Sequence, residues 1–182
     1  MLSSNRMQTM DAAQETPAPA AVSPRLRRLL FWAAALSVVI LDQATKALVR
    51  TGLDRGESWP DPDWPLRIRY VTNTGAAFGI LQDQTLFLIV TATIGLAAIY
   101  LYYRYPPFEH WVVPIAIGMM LGGAAGNLTD RTRVGRVTDF IDLGWYPAFN
   151  VADSSISVGI AVILIGYVFL WPGPQKKPVE DD

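Results

Sequence analysis

Four stretches of apolar residues, each close to the length needed to cross a bilayer, organise this chain. A hydrocarbon core of about 30 Å asks for roughly 20 consecutive apolar residues in a helix. The first stretch runs from about Leu29 to Val49 and is preceded by Arg25, Arg27 and Arg28. Its leading part, Leu29 to Leu41, has the flavour of a signal peptide, but no small-residue cleavage site follows and further apolar segments do, so a membrane helix is the better reading. The second, about Thr85 to Tyr103, is almost unbroken and closes on Tyr100, Tyr102 and Tyr103, as an interfacial aromatic belt would. The third begins near Trp111. Its purely apolar part is short, and it is expected to continue through Gly122, Gly123 and Ala124 to about residue 128, the small residues permitting close helix contact. The fourth runs from about Phe149 to Trp171 and is stopped by Pro172, Gly173 and Pro174.

The segments between the spans are mostly short. Residues 104–110 form a tight connection, and residues 50–84 form the one sizeable segment outside the apolar layer. Pro60, Pro62 and Pro65 break its first half, whereas Leu66 to Thr72 alternates with period two and predicts a strand. Asn73-Thr74-Gly75 reads as a turn, and Ala76 to Ile80 as a small apolar return toward the membrane. Residues 1–24, rich in Ala, Pro, Gln and Ser, form a disordered tail, and 172–182 a second tail. Residues 25–171 are thus one all-α membrane domain of four transmembrane helices with a small exported, β-containing lobe at 50–84. An even number of spans puts both termini on one side. Lys and Arg divide evenly, seven on the side of the termini and seven on the opposite loops. The Arg25–Arg28 cluster beside the first helix favours cytoplasmic termini.

Composition narrows the chemistry. Of 182 residues 51% are hydrophobic, and a net charge of −1 gives no basic surplus for nucleic acid. There is no Cys, which removes disulfides, thiolate metal sites and a Cys nucleophile. His110 is the single His, which argues against a His-based triad or a His-rich metal site. Catalysis must rest on carboxylates, hydroxyls or Lys, and neither a metal nor another cofactor is expected.

The polar residues that remain sit where apolar segments begin or end. Asn127 precedes Asp130 and Arg131, Asn150 precedes Asp153, and Asp139 lies between them after a strand or turn at Gly135 to Thr138. An ionisable group at membrane depth costs at least about 2.5 kcal/mol and is a functional hypothesis by default. Asp42 and Lys46, one helical turn apart, can pair on one face, either to hold a bundle together or to tune a neighbouring carboxylate. Asn127, Asp130 and Arg131 share a face if the third helix continues, either as a helix end tied by an Asp–Arg pair or as a polar scaffold. Asn150 and Asp153 can be a cap and a dipole-favoured carboxylate, yet Asp153 lies inside an apolar span. Two carboxylates close together in a low-dielectric site share a proton and split their pKa values, so one can act as base toward water while the other donates to a carbonyl. Ser154 and Ser155 with Lys46 offer a rival Ser–Lys dyad.

Taken in order, Asp42-Gln43-Ala44-Thr45-Lys46, Asn73 to Phe78, Gly122 to Arg131, Val137-Thr138-Asp139-Phe140 and Phe149-Asn150-Val151-Ala152-Asp153 strongly resemble bacterial lipoprotein signal peptidase (signal peptidase II), over roughly residues 28–170. The resemblance implies an aspartic peptidase of the bacterial inner membrane, with its site near the outer leaflet. The implied substrate is a prolipoprotein whose Cys already carries diacylglycerol, cut on the N-terminal side of that Cys, with membrane lipid as the surroundings. It places the catalytic pair on Asp139 and Asp153. Supporting positions fall on Asp42, Lys46, Asn73, Gly122, Asn127, Asp130, Arg131 and Asn150. One departure is a segment from Phe140 to Ala152 shorter than in some members, which retains Trp145 and Tyr146. Two rival classes are a small proton-coupled or ion carrier, whose charges belong along the midplane, and a non-catalytic scaffold, which leaves the buried charges without a purpose.

Overall fold

Ser23 and Pro24 start the first helix, α1 (Pro24–Gly52), five residues ahead of the apolar run. The Ser23 hydroxyl accepts the Leu26 N–H at 3.3 Å, and Pro24 occupies a first-turn position where a missing N–H costs nothing. The computed structural model describes residues 22–60, 64–75, 81–106 and 110–170. The first twenty-one residues, the 76–80 return toward the membrane and the tail from 171 lie outside them. With 29 residues α1 is about 43 Å long, so its first and last turns project beyond the apolar layer. Then come β1 (Ser58–Trp59), β2 (Arg67–Asn73), α2 (Thr85–Arg104), α3 (Val112–Val134), β3 (Val137–Asp142) and α4 (Val151–Leu170). All four helices are long and apolar enough to cross a membrane, as the hydropathy pattern predicts.

The third helix runs six residues past the expected end. Asn127 to Arg131 do not break it, because their side chains find partners inside the protein. Gly135 ends it in the left-handed conformation at φ 71°, its N–H returning to the Arg131 carbonyl at 3.1 Å.

α3 is the central helix, packed between α1 and α4, with α2 leaning on it from the side. Its glycines set the spacing. A Cβ on Gly118 or Gly122 would collide with the α1 backbone at Phe31 or Ala35, and one on Gly123 with α4 at Ala152. Gly159 of α4 returns the contact against Ala116 and Met120. Gly122 and Gly123 can serve opposite neighbours because consecutive residues of a helix point about 100° apart. At the end of the bundle away from the sheet, Phe31 stacks on Tyr103 with ring centroids 3.8 Å apart, over Val113 and Ile117. The Arg27 guanidinium lies 4.8 Å above the Tyr103 ring and donates to that residue's carbonyl. Little of the α2 surface is buried, so its uniform apolarity suits a helix facing lipid on most sides.

The three strands form one antiparallel sheet in the order β1-β2-β3. Val71 pairs with Asp139, Thr72 with Thr138 and Asn73 with Val137, and the register shifts between Ile68 and Val71. The predicted strand at 66–72 is therefore β2, displaced by one residue. β3 extends through Asp139 instead of ending before it. Beyond the strand, Phe149 closes back on Ile141 and delivers the chain to α4.

This packing makes a specific demand on glycine. Gly122→Val should destabilise the protein by about 2 kcal/mol or more, because the α1 backbone cannot yield to a branched side chain. Gly95→Ala, at a position with open space around it, should leave thermal unfolding in detergent unchanged or slightly raised. Equal melting temperatures for Gly122→Val and the parent would refute the close approach.

Candidate functional site

Lys46 is fully buried and occupies the centre of the polar end of the bundle. Its ammonium lies 2.8 Å from Asp42, one turn back on α1, and 3.2 Å from Asp130 on α3. Its third contact is the Asn127 side-chain oxygen at 2.9 Å. Asp42 also accepts the Ala152 N–H at 3.0 Å, so the same carboxylate ties α1 to the first turn of α4. Gln43 adds donations to Asp42, Asp130 and the Gly126 carbonyl. Arg50, a turn beyond Lys46, pairs with Asp130 at 2.8 Å. Two cations thus face two carboxylates, an arrangement that offsets much of the cost of burial.

Asn127 passes from this cluster to a second one. Its amide nitrogen donates to Asp153 Oδ1 at 2.8 Å, while its oxygen accepts from Lys46 and from the Asn150 amide. Asn150 and Asp153 cap α4 reciprocally: the Asn150 N–H donates to Asp153 Oδ2 at 3.2 Å, and the Asp153 N–H to Asn150 Oδ1 at 3.0 Å. The Asn150 amide nitrogen also donates to Asp139 Oδ1 at 2.7 Å. Asp139 Oδ2 accepts from Asn73 at 3.1 Å, and the Asn73 oxygen holds the Gly75 N–H at 2.9 Å. Asp139 on β3 and Asp153 on α4 therefore share Asn150, and both line one cavity of about 480 Å³ with Asn73, Arg131, Tyr146 and Ile156.

The two aspartates of β3 are tuned in opposite directions. Asp139 is 3% exposed, and burial, followed by the nearby Asp153 charge, raises its pKa to about 6. For Asp142, burial also pushes upward, but the Gly144 N–H together with Arg67 and Arg69 holds the carboxyl below its ordinary value. The Asn73 and Asn150 amides, and Lys46 at longer range, oppose the rise at Asp139 without cancelling it.

Several expected positions take different roles. Arg131 does not pair with Asp130. Adjacent helical residues diverge, so Asp130 turns to Lys46 and Arg50, whereas Arg131 reaches the Gly75 carbonyl at 3.1 Å. Gly122 lies against α1 and does not line the cavity. The rival Ser–Lys dyad is not formed: Ser154 and Ser155 donate to the Asn150 and Val151 carbonyls, and Lys46 is engaged by carboxylates. Trp145 is exposed and edges onto Tyr146 at the cavity rim. Gln43, Arg50 and Thr138 join the network without having been singled out. Asp42, Lys46 and Arg50 follow at four-residue spacing, a signal that could have found Arg50.

Among the described residues, four helices long and apolar enough to span a membrane, with a buried polar cluster against a small sheet, place the chain among polytopic membrane proteins. A solved structure described as a bacterial membrane enzyme at 2.3 Å superposes with a TM-score of 0.73 at 31% identity, covering 86% of this chain and 96% of that one. The family described as signal peptidase (SPase) II matches residues 34–169. The lipoprotein signal peptidase of Caldanaerobacter subterraneus subsp. tengcongensis is 46% identical over 138 residues, spanning 75% of this chain and 92% of that protein. That of Moorella thermoacetica is 39% identical over 143 residues, spanning 79% and 95%. The chain belongs to the signal peptidase II family and is a multi-pass bacterial membrane peptidase of the aspartic type.

The environment of Asp139 yields a spectroscopic expectation. Its protonated carboxyl band, followed by infrared difference spectroscopy, should disappear as pH rises through about 6. In Asp153→Asn the neighbouring negative charge is gone, so the midpoint should fall, while staying above an ordinary Asp because burial persists. An unchanged or higher midpoint in that variant would refute the coupling of the two carboxyls.

Proposed function

We propose that this peptidase removes the signal peptide from prolipoproteins whose Cys carries diacylglycerol, cutting on the N-terminal side of that Cys, with Asp139 and Asp153 as the catalytic pair. The observation that carries the reading is that these two carboxyls, brought from a strand and a helix, open on one cavity and both accept from Asn150, Asp139 from its side-chain amide and Asp153 from its backbone N–H. A water between them loses a proton to the ionised carboxylate as it attacks the scissile carbonyl. The protonated partner donates to the carbonyl oxygen. Collapse of the tetrahedral intermediate returns a proton to the departing amine. The raised pKa of Asp139, from burial and the nearby Asp153 charge, suits a pair that shares one proton. Asn73, Asn127 and Asn150 orient the pair, and Arg131 at the cavity wall offers a donor to the peptide.

Lipid supplies binding energy that the small lobe cannot. Each acyl CH₂ moved into an apolar environment contributes about 0.8 kcal/mol. Asp153, Ile156 and Ser157 follow one another down the cavity face of α4, so a ligand seated there continues toward the bilayer. The carrier reading has no comparable support, since the cationic cluster is internally paired at one end of the bundle.

Asp139→Asn and Asp153→Asn should each lower cleavage of a diacylglyceryl prolipoprotein by about 100-fold or more, measured by signal-peptide release from purified, folded protein. The unmodified prolipoprotein should be cut far more slowly than the lipidated one by the parent enzyme. Parent-like turnover by either variant removes the dyad, and equal rates on the two substrates remove the lipid requirement.

The orientation we propose rests on the basic flank of α1. Arg25 and Arg28 mark the end of α1 opposite the sheet and the carboxyls, and a basic flank favours the cytoplasm. Both termini are then cytoplasmic and the site faces the outer leaflet. Reporter fusions after Gly144 should signal the exported side and fusions after Pro107 the cytoplasm; the reverse pattern would invert the topology.

A further inference from the structure

Arg50 takes no part in the mechanism above, yet its guanidinium is committed in two directions. Nε donates to the Thr138 hydroxyl at 2.8 Å, and one terminal nitrogen donates to Asp130 Oδ1 at 2.8 Å. The other oxygen of Asp130 accepts the Thr138 N–H at 3.1 Å. The Thr138 carbonyl accepts from the Asn150 amide nitrogen at 3.3 Å, the same nitrogen that donates to Asp139. Thr138, buried and immediately before Asp139, is therefore held by its hydroxyl, its N–H and its carbonyl at once.

We infer that Arg50 is a positioning residue of the peptidase reaction, acting through Asp130 and Thr138 to hold β3 so that the Asp139 carboxylate stays opposite Asp153. Arg50 shares in neutralising Asp130, since Lys46 is divided between that carboxylate and Asp42, but charge balance alone gives no reason for the Nε donation to the Thr138 hydroxyl. The Arg50 side chain is 29% exposed, so its charge is partly screened by solvent. What a guanidinium adds is a rigid fork that reaches two acceptors at a fixed angle, which an ammonium does not reproduce. The sheet gives β3 an irregular partner on its other side, since the β2 register shifts between Ile68 and Val71, next to the Val71–Asp139 pair. The clamp from α1 and α3 adds to the Thr72–Thr138 pairing a restraint anchored on the helices.

The inference rests on Asp139 being catalytic, and the test separates the two. Full-length Arg50→Lys, Thr138→Val, Thr138→Ser, the Arg50→Lys/Thr138→Val double variant and Asp139→Asn are assayed on a diacylglyceryl prolipoprotein. Arg50→Lys and Thr138→Val should each lower kcat by about 10-fold to 100-fold, with KM held within about twofold, because a displaced carboxylate harms the reaction and not binding. The double variant should be little worse than either single one, since both break the same contact. Thr138→Ser, which keeps the hydroxyl, should retain parent kcat. Parent-like kcat in folded Arg50→Lys, a rise in KM alone, or losses that multiply in the double variant would overturn the inference. If Arg50→Lys does not fold, Thr138→Val, which keeps the branched shape, decides by the same kcat criterion. An inactive Asp139→Asn beside fully active Arg50→Lys and Thr138→Val refutes the positioning role alone, whereas an active Asp139→Asn refutes the proposed dyad itself.

Discussion

A single buried ammonium holds the polar end of this molecule together. Lys46 makes it possible to place Asp42 and Asp130 in an apolar bundle, and these two carboxylates in turn reach α4 through the Ala152 N–H and β3 through the Thr138 N–H. Removing one partner of such a buried cluster costs about 3–5 kcal/mol, because the remaining charges are left uncompensated. The helices meet through close backbone contact at Gly118, Gly122 and Gly123. That contact is undirected, whereas the Lys46 cluster selects one axial and rotational setting of α1 against α3.

The neighbouring carboxyl pair is treated differently, and the contrast has a physical logic. Asp42 and Asp130 have cations at contact distance; the hydrogen-bond partners of Asp139 and Asp153 are amides and backbone N–H groups. An amide donor fixes the direction of a carboxylate without neutralising it. A cation in the same place would pull Asp139 far below neutrality and make it a poor proton holder. Asn73 and Asn150 orient Asp139 and leave its pKa raised to about 6. Orientation and charge compensation are thereby assigned to separate side chains, with Asn127 as the link between them.

Much of this was legible in the chain. The four spans announce themselves because an apolar run of bilayer length has few other uses, and α2 and α4 fall within two residues of their expected limits. The Asn150 and Asp153 spacing allowed a cap, and the Asp42–Lys46 spacing a pair, each beside a functional reading. The end of α3 was less visible: Asn127, Asp130 and Arg131 look like a terminus until their partners on other elements are known. β3 was legible only as a strand or turn ending at Thr138, because Val137, Thr138, Asp139 and Phe140 are buried in succession and polar and apolar positions do not alternate. β1 is two residues long beside a proline and has no pattern to read. Arg50 looked like one more loop charge, since its partners lie about eighty residues away on α3 and β3.

The reciprocal cap of Asn150 and Asp153 has a consequence for how the protein is made. Among the described elements α4 comes last, and its cap and first turn supply the Asn150 amide that orients Asp139 and Asp153 itself. A nascent chain whose last helix has not yet entered the bundle holds Asp139 with neither its opposing carboxylate nor its main anchor. Under the proposed mechanism such a chain has no hydrolytic capacity, and competence arises in the same event that starts the final helix.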